Sequence, residues 1–192
     1  MIDMLFYAIL TIGALTPGDG AEAARPAMDK AACEASLALI RSQVATSSDP
    51  VIYSEWKGSA EQDFDLREHE WSPTPYAKAH RVPVPTGRRI GRSLHLGNLR
   101  FSAVRHCRSV RHFLDRHHIP YGTAATDRAV QRQDRKATFI SVALAAVDVS
   151  GRYAVVTFGS TGFFGGGGWA TVLVRDHAGR WHPAYSTPTW IT

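Results

Sequence analysis

The last fifty residues alternate between short apolar runs and turn residues. Ser141–Val149 is apolar and β-branched, Ser150-Gly151 is a hairpin turn signal, and Tyr153–Phe158 has the composition of a strand pairing back on it. Gly159–Gly168 reads as a glycine-rich connection, Trp169–Arg175 as a further strand, Asp176–Gly179 as a turn and Arg180–Tyr185 as the returning strand. Pro183 has no N–H to give to a ladder, which puts that last strand at an edge, and Trp190-Ile191 is expected to pack back on the core. The pattern predicts an antiparallel β-meander over residues 141–192.

Upstream, the period changes from two to between three and four. Cys33, Leu37, Ile40 and Val44 recur at helical spacing, so a helix is expected over Asp29–Ala45, with Asp29 as its cap. Val51–Lys57 alternates as a strand, with Ile52, Ser54 and Trp56 on one side. Residues 58–98 are acidic, then proline-rich and basic, and read as irregular extended chain. Phe101–His118 is a second helix, with Val104, Cys107 and Leu114 on one face and Pro120 and Gly122 to stop it. Residues 123–138 are polar and basic, a linker or a frayed helix. The fold class is therefore α+β: N-terminal and central helices packed on a C-terminal antiparallel β-meander.

The N-terminus adds a destination. Leu5–Leu15 is an apolar and small-residue run too short to span a bilayer as a helix, and Ala21 and Ala23 supply the small residues of a cleavage site. Residues 1–23 are thus expected to be a signal peptide and 24–192 a single domain, with no transmembrane segment in the mature chain and a periplasmic or secreted location. The alternative is an apolar helix packed on the fold, or an uncleaved anchor; the segment before the run carries Asp3 and no Lys or Arg. Removing residues 1–23 takes away Asp3, Asp19 and Glu22 and no basic side chain, so the formal charge of +5 becomes +8. That balance is compatible with an anionic ligand and with a protein partner, without a strong nucleic-acid signal, and net charge alone carries too little specificity to name either. Cys33 and Cys107 are the only cysteines. In an oxidising compartment they read as one disulfide, and otherwise as two buried thiols.

Candidate chemistry is sparse. The run Gly159–Gly168 lacks the following helix and Lys of a phosphate loop, so its glycines are expected to serve a bend. Beside them Phe163, Phe164 and Trp169 are candidate contact residues. His106, His112 and His117 fall at spacings of six and five, which do not share a helical face, and no metal or cofactor is expected. Asp63, Asp65, Glu68 and Glu70 read as a solvated acidic stretch. His177 and His182, with Arg175 and Arg180 about one turn, form the one constellation compatible with catalysis. Two imidazoles and an arginine could act as acid, base and charge stabiliser in phosphodiester cleavage.

The C-terminal stretch also resembles a family of uncharacterised, mostly exported bacterial proteins. The matching residues are Ile140-Ser141, Tyr153–Val156, Gly162 with Gly165–Gly168, Gly179-Arg180-Trp181 and Trp190-Ile191-Thr192. The resemblance implies the meander and export, and no activity. The family's glycine loop often carries two cysteines in a C-G-x-x-C-G arrangement, and Gly159–Gly168 has none. The expected function is that of an exported, non-catalytic binding or interaction domain of the cell envelope, the alternative being a small secreted hydrolase using His177 and His182.

Overall fold

Small apolar residues spaced three and four apart bind the N-terminal segment to the rest of the chain. In the computed structural model, which describes residues 19–46, 51–55, 70–83, 94, 96–162 and 165–191, they lie on one long helix, α1 (Asp19–Val44). Of residues 19–29, Trp190 and Ile191 only the backbone course is described. The apolar run 5–15, Trp56, the acidic residues Asp63, Asp65 and Glu68, and the aromatic pair Phe163 and Phe164 lie outside the described residues.

The strands are β1 (Val51–Ser54), β2 (Ser72–Pro73), β3 (Thr138–Val142), β4 (Ala146–Val147), β5 (Tyr153–Gly162), β6 (Gly165–Arg175) and β7 (Trp181–Ile191). They form one sheet in the order β1-β3-β5-β6-β7-β2, with β4 paired to β5. The long strands β5, β6 and β7 are the expected meander, each antiparallel to the next. The remaining helices are α2 (Pro75–His80), α3 (Ala103–His106), α4 (Arg108–Arg116) and α5 (Thr123–Gln131), with a 3-10 turn over Leu96–Arg100. The chain is α+β, with most strand pairs antiparallel.

Both faces of the sheet are covered. Ala32, Ala35, Leu39 and Ile40 of α1 meet Val104, Val110 and Leu114 of α3 and α4 over Tyr53, Val142, Val156, Leu173 and Trp181. The opposite face is covered in two places. Ala77 of α2 packs on Val155, Val172 and Tyr185, and Ala125 and Ala129 of α5 pack on Ile52 and Ala137. This explains why Ala154-Val155-Val156 is continuously apolar: neighbouring positions point to two different buried layers. Each such fully buried Val or Leu side chain contributes about 1.5–3 kcal/mol.

Two polar devices fix α1 on the sheet. Ser36 is fully buried; its Oγ donates to Ala32 O at 2.9 Å and accepts from Ala145 N at 2.9 Å. That satisfies an N–H left free where the chain leaves β3 before β4. The sulfurs of Cys33 and Cys107 are at disulfide distance, with Cα atoms 5.4 Å apart, joining α1 to the α3–α4 junction.

Several expectations change. α1 begins at Asp19, ten residues before the expected cap Asp29, and runs through Pro26. The helix expected over Phe101–His118 is two helices broken at Cys107, where the backbone is extended. Arg111 spans the break by donating to Val104 O at 2.9 Å and Arg105 O at 2.6 Å, the exposed carbonyl end of α3. The strand expected over Ser141–Val149 is interrupted, giving β3 and β4. β1 pairs with β3 in parallel, so the sheet is mixed. Of the two readings of residues 123–138, linker or frayed helix, the helical one holds over Thr123–Gln131, α5.

The largest change concerns the glycines. The stretch expected to be a connection is paired strand, with Gly159 opposite Gly168, Ser160 opposite Gly167 and Gly162 opposite Gly165. β7 likewise continues past Tyr185 to Ile191, and Trp190 is paired with Gly168 instead of folding back. Its two prolines sit beside register shifts: Pro183 faces Leu173 and Pro188 faces Trp169, and the ladder slips next to each. Beyond β6, the described residues that border β7 are the two-residue strand β2, at Ser186 and Tyr185, and Thr74, which donates to Pro183 O and Ala184 O, so the last strand is near the edge but covered at Pro183.

Candidate functional site

The turn between β6 and β7 is organised by one carboxylate. Asp176 Oδ1 accepts from the backbone N–H of Arg180 at 2.8 Å, while Oδ2 accepts from Arg180 Nε at 2.9 Å and from His182 Nε2 at 3.0 Å. The main chain closes the same turn, with Gly179 N donating to Asp176 O and Asp176 N to Arg180 O, each at 2.9 Å. Gly179 has φ +78, a left-handed conformation that a side chain would strain. The Arg180 backbone N–H, then the His182 ring, hold the Asp176 carboxyl well below the usual carboxylate range, with partial burial opposing them and the Arg180 side chain adding to them. The carboxylate is therefore ionised and only accepts, so His182 carries its proton on Nε2.

His182 is positioned from a second direction by α2. Its ring stacks on Tyr76 at 4.2 Å and 3° between planes, and Tyr76 also meets His80 at 4.4 Å. Thr74 caps α2 by accepting from Ala77 N at 3.3 Å. The same hydroxyl donates to Pro183 O at 2.8 Å, and Thr74 N donates to Ala184 O at 2.9 Å. The cap thus docks α2 on the strand that carries His182.

Arg175 and His177 have different surroundings. Arg175 Nε donates to Gly179 O at 3.0 Å, its Nη2 lies 3.3 Å from Glu34 Oε2 on α1, and its guanidinium lies 5.6 Å from the Trp181 ring centroid. His177 is exposed. Both border an open depression of about 430 Å³, lined by Ser150, Gly151 and Arg152 of one turn and by Arg175, Asp176, His177 and Gly179 of the other. The four residues expected to cluster are thus divided: Arg180 and His182 share Asp176, and Arg175 and His177 share the depression. Asp176 had a readable signal, an acidic residue opening a turn closed by glycine. Tyr76 had none, since its partner lies 106 residues away in sequence.

At the other end of β6, Trp169 is half-buried and stacks on Phe158 at 5.2 Å. Its indole lies across Gly167, where an added Cβ would come within 2.7 Å of Cη2. The helical histidines each have local partners. His106 Nδ1 donates to Ser102 O at 3.0 Å, His112 Nε2 accepts from Arg108 Nε at 3.2 Å, and the His117 ring meets Phe113 at 4.4 Å. Among the described residues no group of three or more His, Cys, Asp or Glu is placed to hold a metal ion, and no helix is long and apolar enough to cross a membrane.

Comparison of the chain with protein-family models, curated proteins and solved structures finds no match in any of the three.

Proposed function

We propose that the protein is an exported, non-catalytic binding domain of the cell envelope. The observation that supports this reading is the different surroundings of the two imidazoles. Acid–base cleavage of a phosphodiester needs two proton-transfer groups at one reacting centre. Here His182 spends its Nε2 proton on Asp176 and a ring face on Tyr76, while His177 stands exposed at the depression. What remains is a pre-ordered scaffold with surfaces at both ends of β6. The contact element for a protein partner is Trp169 with the aromatic pair Phe163 and Phe164 of the same glycine-rich stretch, the pair lying outside the described residues. The Cys33–Cys107 pair and the apolar N-terminal run support an oxidising, extracytoplasmic destination.

The test has two arms. Incubated with bis(p-nitrophenyl) phosphate and with single-stranded RNA, the purified protein is expected to release no product above buffer. Turnover that His182→Ala abolishes would overturn the reading in favour of a hydrolase built on the Asp176–His182 pair. N-terminal sequencing from the cell-envelope fraction is expected to begin at Ala24, and a chain beginning at Met1 would overturn export.

A further inference from the structure

The outer side of α3 and α4 concentrates the charge of the chain. Residues 100–118 carry five arginines and four histidines against one acidic residue, Asp115, a formal +4 where the whole chain carries +5. The arrangement follows from the buried face. Val104, Cys107, Val110 and Leu114 point into the core, which leaves Arg105, Arg108, His112 and Arg116 exposed on the other side. Arg108, His112 and Arg116 succeed one another at a spacing of four along α4 and so form a row, within which Arg108 Nε donates to His112 Nε2 at 3.2 Å.

Contacts extend the row in both directions. Arg111 reaches back to Arg105 O, and His106, next to Arg105 on α3, meets the Phe101 ring at 4.9 Å. Toward α1, the exposed Arg41 lies 5.5 Å from the centroid of the Phe113 ring, which His117 also meets at 4.4 Å. Asp115, the one carboxylate of residues 100–118, is engaged at the edge of the band. A hydrogen bond to Asp115, then burial, holds the Tyr121 phenol above its ordinary range, with Arg111 close enough to oppose them. Among the described residues Arg105, Arg108 and Arg116 are in no ion pair, so their charges are left to solvent.

Such a band attracts polyanions, and its shape selects among them. A nucleic-acid strand is held in a cationic groove with open aromatic faces on which its bases stack. Here the row stands on the outward side of a helix that covers the core, and Phe113 is half-buried with Arg41 over it. A bilayer asks for the reverse: an outward cationic surface of long side chains, with an aromatic at its rim to enter the headgroup region. Phe101, 44% exposed, stands at that rim.

We propose that the α3–α4 face is a docking surface for an anionic phospholipid bilayer, held by Arg105, Arg108 and Arg116 with Phe101 at its edge. It goes beyond the binding reading above and shares no contact residue with it.

Co-sedimentation of the full chain with vesicles of phosphatidylcholine alone, and of phosphatidylcholine with about 30% phosphatidylglycerol, at about 100 mM salt, tests the proposal. Neutral vesicles register whatever the apolar N-terminal run contributes, so the ratio of the two affinities reads the charged face. That ratio is expected to be at least tenfold. Arg108→Ala/Arg116→Ala is expected to lower it at least fivefold, and Arg108→Lys/Arg116→Lys to leave it within twofold, since a lipid surface responds to charge. Phe101→Ser is expected to weaken binding to the anionic vesicles at least twofold. Arg128→Ala/Arg132→Ala, the same charge change on α5 over the other face of the sheet, is expected to leave the ratio unchanged. Equal binding to the two vesicle types, or an equal loss from the α4 and α5 pairs, would overturn the proposal. So would single-stranded poly(U) binding more tightly than the anionic vesicles with the same loss in Arg108→Ala/Arg116→Ala, which would assign the face to a nucleic acid.

Discussion

Asp176 shows how much one side chain can organise when it joins a backbone N–H to two side chains. Its salt bridge to Arg180 involves a guanidinium side chain that is 74% exposed, and exposed pairs of this kind add little. The bonds to Arg180 N and to His182 matter more, because they fix a turn and the strand after it. Asp176→Asn keeps the shape of the side chain and removes its charge, so it is expected to lower the melting temperature at neutral pH. The sign of the pH dependence follows from a carboxyl held low in the folded state. Its contribution is complete above the unfolded value of about 3.9 and is lost as pH falls below that toward the depressed folded value. Thermal melts between pH 7 and pH 2 should therefore show a gap between wild type and variant that is constant down to about pH 5 and narrows below about pH 4. A gap that is as wide at pH 2 as at pH 7 would assign the effect to packing.

At the scale of elements, the glycine hairpin is where sequence patterning and structure part company. Glycine weakens a strand because it loses the most conformational freedom on folding, so Gly159–Gly168 read naturally as a connection. The side chain that makes it a strand is Trp169, whose ring occupies the space above Gly167 and stacks on Phe158. Gly167→Ala is expected to destabilise the fold by about 1–3 kcal/mol through overpacking against that indole. In urea unfolding, the same change made in a Trp169→Ala background should cost markedly less. Equal costs in the two backgrounds would mean that the indole is not what excludes the side chain. The same logic marks what was legible in the chain. The meander, the core helix position Ile40 and the Cys33–Cys107 pairing were readable because period and count are local properties, whereas Leu39, buried in the core, lay off the face that the spacing marked. The parallel pairing of β1 with β3 was not, because the partners lie 87 positions apart and no turn joins them. Pro183 marked an edge strand, but the register shifts beside Pro183 and Pro188 were not readable, because they are set jointly with the facing strand, β6. At the site, the turn residues were legible as a group, but their division between Asp176 and the depression depends on which face each side chain takes.

For the molecule as a whole, the question is what keeps α1, which the proposed cleavage would shorten to Ala24–Val44, on a sheet whose strands come almost entirely from the other end of the chain. The contacts of α1 come from alanines and a few larger residues, Leu39 and Ile40, and alanine buries little area per position. Ser36 adds one buried pair of hydrogen bonds. The covalent link does more. Cys33 and Cys107 are 74 residues apart, so joining them removes much of the conformational freedom of the unfolded chain, which is worth about 4 kcal/mol in the chain-entropy model and about 2–4 kcal/mol in typical measurements. That is comparable with a large part of the 5–15 kcal/mol net stability of an ordinary domain. The joint also sits where α3 ends and α4 begins, so it anchors the break in that helix pair as well as α1. Urea unfolding of the oxidised protein, of the same protein in reductant and of Cys33→Ala/Cys107→Ala should therefore give two reduced forms that agree with each other and lie about 2–4 kcal/mol below the oxidised one. If all three unfold at the same urea concentration, the link contributes nothing and the case for an oxidising destination loses its energetic basis. If the gap appears, the fold is one that a reducing compartment would leave marginal, and its location becomes part of its stability.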